Sequence, residues 1–126
     1  AGVLNQDGKV LIAKRPSSGL LGGMWEFPGG KVEADETHAQ ALTRELREEL
    51  AISTTADTLL GEYHHAYTHF RVTLFAYHAS VVSGEIKALQ PSELQWVQIY
   101  DLETYPMGKI DRMISRDLVR LEGKDG

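Results

Sequence analysis

Three glutamates, Glu45, Glu48 and Glu49, lie close together in a stretch from Thr37 to Leu50 that contains neither glycine nor proline. On an α-helix, at about 100° per residue, Glu48 lies about 60° to one side of Glu45 and Glu49 about 40° to the other, so the three carboxylates share one face. Clustered oxygen ligands in a chain without cysteine favour Mg²⁺ or Mn²⁺ over zinc or copper. The pattern therefore indicates a divalent-metal site, and the alternative is an ordinary solvated face of glutamates and arginines.

The same stretch has the apolar periodicity of an amphipathic helix, with Asp35 or Thr37 as its N-cap. Its apolar residues recur at steps of three and four: Ala39, Leu42, Leu46 and Leu50. The leucines lie beside the acidic face, so the helix can pack on a sheet while the carboxylates stay at the edge of the packed surface. Like charges at this spacing destabilise a helix by a few tenths of a kcal/mol per pair. A divalent cation bound between them would make the same arrangement stabilising.

The rest of the chain predicts a mixed α/β sheet covered by a helix on each face. Two short apolar runs flank Asp7-Gly8, which is a strong hairpin signal. Strands are also predicted, from β-branched and aromatic residues, over Met24–Phe27, Leu59–Tyr63, Tyr67–Val82 and Leu94–Val97. A second helix is predicted to run from Ile110 to near Gly123.

Composition limits the classes of protein to which the chain can belong. Its 126 residues, 42% hydrophobic, are enough for one packed core, so residues 1–126 are expected to form a single domain. A net charge of -5 makes autonomous nucleic-acid binding unfavourable. No apolar run approaches the roughly 20 residues that span a bilayer, so no membrane partner is expected. The absence of cysteine favours a reducing compartment, the cytoplasm, and composition leaves the oligomeric state open.

The segment from Gly30 to Ile52 resembles the signature of the Nudix hydrolases. That signature specifies a glycine, a glutamate, an Arg-Glu pair, a Glu-Glu pair, a glycine and apolar places between them; here the matching residues are Gly30, Glu36, Arg44, Glu45, Leu46, Glu48, Glu49 and Ile52. The departure is Ala51, where the signature has glycine. The left-handed conformation expected at this helix end is less favourable for alanine than for glycine by roughly 1 kcal/mol. The substitution is therefore expected to affect stability more than catalysis.

The resemblance extends over nearly the whole chain. Ala13–Pro16, Trp25–Lys31 and the strand around His69–Tyr77 resemble the MutT-type branch, which removes oxidised guanine nucleotides. They also resemble the C-terminal domain of adenine-specific DNA glycosylases, with its Trp-Glu-Phe-Pro-Gly stretch and its motif here formed by Tyr67-Thr68-His69. Both imply a Nudix-type α/β/α sandwich with a central mixed sheet.

The resemblance implies Mg²⁺-dependent or Mn²⁺-dependent attack of water at a phosphorus of a nucleoside diphosphate derivative. Glu48 and Glu49 are then metal ligands, and Glu45 is a further ligand or the base. Arg44 is expected to orient Glu48 from one helical turn away. A backbone carbonyl in the Gly29-Gly30 turn completes the metal shell, while Glu36 ties the loop to the start of the helix. A later acid, Glu93 or else Glu85, is expected at the metal, the alternative being that both are merely solvated.

Substrate contacts are expected from residues at both ends of the chain. Arg15 and Lys31 match positions that contact nucleotide, and Glu26, Phe27 and Pro28 are expected to border the base pocket. Strand alternation would place His65, Tyr67 and His69 on one face, where they stack against a purine or serve only as packing or surface residues. MutT members read oxidised guanine through an asparagine near the start of the last helix. This chain has none there, and Lys109 is the available donor.

Three functional classes remain open at this point. The first is a MutT-type diphosphatase that converts 8-oxo-dGTP to 8-oxo-dGMP and pyrophosphate. The second is a non-hydrolytic lesion-reading domain of an adenine glycosylase. Such reader domains usually lack the acidic row that this chain keeps. The third is a Nudix hydrolase for another nucleoside diphosphate derivative, such as a nucleotide sugar.

Overall fold

The computed structural model describes residues 1–18 and 21–125, with side chains described as far as Glu122. The elements in chain order are β1 (Gly2–Gln6), β2 (Lys9–Lys14), β3 (Trp25–Glu26), α1 (His38–Leu50), β4 (Ser53–Ala66), β5 (Arg71–Ser83), β6 (Glu93–Gln98), a 3₁₀ helix (Ile99–Thr104) and α2 (Lys109–Asp125). Within the described ranges, neither helix is long and apolar enough to span a membrane.

The strands form one six-stranded mixed sheet. Its order is β3-β2-β1-β5-β4, with β6 paired to β2. The β1–β5 pair is parallel and the other pairs are antiparallel. Asp7 and Gly8, with φ values of 54° and 78°, form the turn between β1 and β2, which confirms the predicted hairpin. Positive φ at both central residues matches the twist of the two strands.

The sheet is covered on both faces, as the α/β/α sandwich requires. Because successive strand residues point to opposite faces, Val3 and Leu4 enter different cores. Val3, Val10 and Ile12 pack with the α2 residues Ile110, Ile114 and Leu118. Leu4 and Leu11 pack with the α1 residues Leu42, Leu46 and Leu50. The predicted mixed α/β fold is therefore confirmed, and the leucines of α1 hold its acidic face at the edge of the sheet.

The helix α1 begins and ends where the sequence predicts. Thr37 is the N-cap and forms a reciprocal capping box with Gln40, whose side chain accepts from the Thr37 N–H. Ala51 ends the helix in the left-handed conformation, at φ 62° and ψ 29°, and its N–H donates to the Arg47 carbonyl. The expected left-handed conformation of the alanine at this position is confirmed, and its cost in stability stays a prediction.

The largest differences from the predicted boundaries are in β4, at the start of β5 and at the end of α2. The strand β4 covers Ser53–Ala66, well beyond the predicted Leu59–Tyr63, because its long antiparallel ladder with β5 accommodates polar residues through three register irregularities. The prediction of a strand that starts at Tyr67 is wrong. The Tyr67 N–H donates to the Phe70 carbonyl in a turn, and β5 begins at Arg71. Strand alternation therefore does not relate Tyr67 to His69. Helix α2 ends at Asp125 rather than near Gly123.

Candidate active site

A cleft of about 990 Å³ opens beside the acidic face of α1. It lies between that helix, the Phe27–Glu33 segment, the first half of β5 and the start of α2. Eight of the predicted site residues line it: Arg15, Glu26, Phe27, Gly29, Gly30, Lys31, Glu45 and Glu49. The tertiary structure thus brings four of the predicted substrate-contacting residues (Arg15, Glu26, Phe27 and Lys31) and two of the three acidic residues of α1 to one place.

Glu49 lies at the inner part of the cleft. Its Oε2 accepts a hydrogen bond of 3.0 Å from the N–H of Gly29. Burial, together with the neighbouring carboxylates of Glu26 and Glu45, raises the pKa of Glu49 to about 7. Acids held this close to one another and away from water favour either a proton or a cation. Glu49 is therefore placed to serve as a cation ligand.

The backbone at Gly30 passes very close to the carboxylate of Glu45. A Cβ atom built on Gly30 would lie 2.5 Å from the Glu45 carboxylate, a contact that any side chain would have to relieve by moving the backbone or the glutamate. The expected close approach of the Gly29-Gly30 turn to the acidic helix is therefore present. It places peptide groups of the turn beside the carboxylates of Glu45 and Glu49.

Arg44 holds the acidic face together from its outer side. Its guanidinium donates to Glu36 through Nε at 2.7 Å, and through Nη1 to Glu45 at 2.9 Å and Glu48 at 3.2 Å. Its Nη2 donates to the Lys31 carbonyl at 2.9 Å. These hydrogen bonds lower the pKa of Glu36 and raise that of Arg44. The predicted contact of Arg44 with Glu48 and the predicted tie through Glu36 are both present.

The residues present fit a hard divalent cation, although their carboxylates do not converge on one point. In the described part of the chain, no three acidic or histidine side chains are grouped as metal ligands. Glu45 and Glu48 point to Arg44, while Glu49 points to Gly29. The Glu48 side chain is 49% exposed and lies outside the cleft lining, so it can rotate toward a cation without disturbing the core.

Asp111 is the site residue that sequence reasoning missed. It lies near the start of α2, where its Oδ1 accepts a 3.1 Å hydrogen bond from the N–H of Phe27. Burial raises the pKa of Asp111 to about 7. Beside it, the Glu26 carboxylate accepts a 2.8 Å hydrogen bond from Arg15, and burial raises the pKa of Glu26 as well. A lone acid in an amphipathic helix carries no local signal of this role.

Several predicted site residues do not line the cleft. Glu93 lies on β6 opposite Lys14, and Glu85 is exposed beyond the end of β5; Gln90 and Pro91 lie at the cleft instead. His69 is exposed on the turn between β4 and β5. Lys109 is exposed at the first position of α2, and Pro28 is fully buried beneath the cleft wall.

Comparison with known proteins identifies the family. The model of the NUDIX domain matches residues 1–116. The CTP pyrophosphohydrolase of Escherichia coli (strain K12) is 37% identical over 111 residues, which cover 88% of this chain and 82% of that protein. The 8-oxo-dGTP diphosphatase of Proteus vulgaris is 48% identical over 75 residues, covering 59% and 67%.

The fold comparison agrees with the sequence comparison. The crystal structure of a MutT NUDIX hydrolase from Burkholderia pseudomallei superposes with a TM-score of 0.83 at 29% identity, and the match covers 92% of each chain. Nudix hydrolases generally use divalent metal ions, and the acidic face of α1 supplies the corresponding oxygen donors. The chain belongs to the Nudix family and is a Nudix pyrophosphohydrolase.

Proposed function

We propose that this protein is a Mg²⁺-dependent pyrophosphohydrolase that converts a nucleoside triphosphate to its monophosphate and pyrophosphate. The observation that carries the proposal is one cleft that joins the acidic face of α1 to the half-buried acids Glu26 and Asp111. One end of such a cleft suits a metal-bound phosphate chain, and the other suits a base with hydrogen-bonding groups. The small-molecule nucleotide is the partner that this combination fits.

The side chains of α1 divide the catalytic work. Glu45, Glu48, Glu49 and a carbonyl of the Gly29-Gly30 turn would hold Mg²⁺ (or Mn²⁺), which neutralises charge on the phosphate oxygens. Glu45, or else another acid of this face, accepts the proton of the water that attacks phosphorus. Arg44 keeps the carboxylates of Glu45 and Glu48 oriented through its hydrogen bonds of 2.9 and 3.2 Å. Lys31, at the rim, is suited to a phosphate oxygen.

The substrate base is proposed to be an oxidised purine, with 8-oxo-dGTP the first candidate. With its pKa raised to about 7, Asp111 is partly protonated at neutral pH, while Glu26 is paired with Arg15, so the two acids offer a donor and an acceptor side by side. Oxidised guanine presents both donors and acceptors on its edges. The relative from Proteus vulgaris acts on this nucleotide. Phe27 provides an apolar wall of the same cleft.

A second candidate substrate is CTP. The relative from Escherichia coli that covers most of this chain hydrolyses it. Cytosine presents an amino donor next to a ring acceptor, which Asp111 as the donor and Glu26, paired with Arg15, as the acceptor also match. The family's asparagine near the start of the last helix is absent here, and Asp111 is an acid in that region. The carboxyl pair therefore supports both bases.

The decisive experiment is a panel of 8-oxo-dGTP, dGTP, CTP and a nucleotide sugar, assayed with Mg²⁺ for pyrophosphate and phosphate separately. The proposal predicts pyrophosphate as the first product, no activity in excess chelator, and the highest kcat/KM for 8-oxo-dGTP. Highest activity on CTP selects the second candidate. Turnover of the nucleotide sugar alone would overturn the triphosphate assignment.

A lesion-reading role predicts the opposite behaviour. Duplex DNA is bound mainly through clustered lysine and arginine contacts to phosphate, whereas this chain has a net charge of -5 and an acidic face at its cleft. We therefore expect weak binding to duplex DNA, measured by fluorescence anisotropy at two salt concentrations. Tight, salt-sensitive binding to a lesion-containing duplex, with no nucleotide turnover under Mg²⁺ or Mn²⁺, would overturn the enzyme proposal in favour of the lesion-reading role.

The cysteine-free composition favours a cytoplasmic location.

A further inference from the structure

We infer, on the basis of the triphosphate hydrolysis proposed above, that His38 binds the terminal phosphate of the substrate and that Phe75 holds the imidazole ring in place. His38 is the first residue of α1, and both residues line the cleft. The pair would make the site selective for a full triphosphate over shorter phosphate chains.

His38 lies on the same stripe of α1 as the catalytic acids. Seven residues separate it from Glu45, which is two turns of helix, so the two side chains differ by only about 20° in direction and their Cα atoms by roughly 10.5 Å along the axis. Ala41 and Leu42, between them, also line the cleft. The acidic face therefore continues as a small apolar floor that ends at an imidazole.

The order of residues along the cleft gives this end its role. Asp111 and Glu26 lie near Glu49, because Gly29, which binds Glu49, follows Phe27, which binds Asp111, by two residues. From there the helix leads past Glu45 to His38. A nucleotide with its base at Asp111 and its inner phosphates at the acids therefore extends its last phosphate toward His38.

The state of the His38 ring supports a ligand-binding role. Its centroid lies 3.8 Å from that of Phe75, with an angle of 34° between the rings, so a strand residue limits the ring's rotation. Within the described ranges, no protein group hydrogen-bonds to either of its ring nitrogens. The start of α1 is already capped by Thr37 and Gln40, so the imidazole is not required there. An imidazole always has at least one N–H donor, which a phosphate oxygen can accept.

One acid of the cleft lining, Glu33, is itself paired with a cation. Its carboxylate lies 3.8 Å from the guanidinium of Arg44, which offsets part of its charge. Lys31 also lines the cleft and adds a positive charge. The N-terminus of α1 contributes a partial positive charge of its own, which favours an anion near His38.

The test separates the outer phosphates from the rest of the nucleotide. In His38→Ala, the KM for the triphosphate is expected to rise about tenfold with kcat nearly unchanged, because a hydrogen bond to a charged group is worth about that factor. The Kd for inorganic pyrophosphate with Mg²⁺, measured by calorimetry, should rise by a similar factor. The inhibition constant of the monophosphate product should stay within about twofold, because that ligand lacks the outer phosphates.

Two further variants and one control complete the design. His38→Asn, which keeps a donor, should recover part of the pyrophosphate affinity, and Phe75→Leu should weaken it less than His38→Ala does. His78→Ala, on β5 and outside the cleft lining, should match wild type in all three constants. An unchanged pyrophosphate Kd in His38→Ala, or an equal loss for the monophosphate, would overturn the inference while leaving the proposed function intact. A wild-type protein that releases no pyrophosphate from any triphosphate overturns the proposed function itself.

Discussion

Replacing Ala51 by glycine should stabilise the protein, because Ala51 ends α1 at φ 62° and ψ 29°. In this left-handed region the Cβ of an L-residue crowds the neighbouring carbonyl oxygen, whereas glycine has no Cβ. The N–H of Ala51 donates to the Arg47 carbonyl at 3.0 Å, and glycine keeps that backbone hydrogen bond. The substitution therefore removes the strain without removing the cap.

The magnitude follows from two opposing contributions. Relief of the left-handed conformation is worth about 1–2 kcal/mol, and the greater freedom of glycine in the unfolded chain costs about 0.4–1 kcal/mol. The net gain is about 0.5–1 kcal/mol in the free energy of unfolding. For a chain of 126 residues the entropy of unfolding is about 0.26 kcal/mol/K, so the thermal midpoint should rise by about 2–4 °C.

Differential scanning calorimetry and urea unfolding of Ala51→Gly would measure this gain. Ala39→Gly is the matched control: it makes the same chemical change inside α1, where the backbone is helical, and should lower stability by about 0.5–1 kcal/mol. Because Ala51 lies outside the cleft lining, kcat should be unchanged. A midpoint that falls in both variants would show that the left-handed strain at Ala51 is not a real cost.

Three further predictions concern the cleft. Glu48→Gln and Glu49→Gln should each keep the fold, checked by circular dichroism, and lower the Mg²⁺-dependent rate by at least about a hundredfold; near-wild-type turnover in either would remove that residue from the metal site. Arg44→Lys should lower the rate by about 10–100-fold, because one ammonium cannot replace the hydrogen bonds to Glu36, Glu45 and Glu48 together. Wild-type kinetics in this variant would exclude an orienting role for Arg44. Asp111 is protonated in the folded protein up to about pH 7 but ionises near its ordinary value of 3.8 when unfolded, so it makes the free energy of unfolding fall as pH rises through that window. Urea unfolding at pH 5 and pH 8 should therefore show a smaller fall in Asp111→Asn, and an equal fall in both proteins would contradict the raised pKa.

Local chemistry along the chain was sufficient to predict α1, its cap and its strained end. Each of these features depends on a few neighbouring residues: the leucines at three- and four-residue steps, the Thr37 cap, and Ala51 in the place of a glycine. The structure confirms the helix, its cap and its left-handed end. The Asp7-Gly8 hairpin is of the same kind, because its turn depends on the two residues that form it. Periodicity also distinguished the strands from the helices well enough to predict a mixed sheet covered on both faces.

Strand limits near the hairpin of β4 and β5 could not be predicted in this way. The stretch from Tyr67 has the aromatic and β-branched residues of a strand, yet Tyr67 and Phe70 close a turn because β4 reaches Ala66 and must reverse there. Where a strand ends is set by the partner strand and its register, not by its own composition. The error carried over to His69, whose predicted face depended on the alternation.

Some features of the site follow from the sequence alone, and others follow only from the tertiary structure. The sequence by itself determined that three acids and Arg44 lie along one face of α1, because helix geometry depends only on spacing. Only the tertiary structure decided that Glu49 is half-buried and bonded to Gly29 while Glu48 remains exposed, and that Asp111 and His38 lie at the same cleft as Glu45. These contacts join residues far apart in the chain, and the packing of α1 and α2 against the sheet is what brings them together.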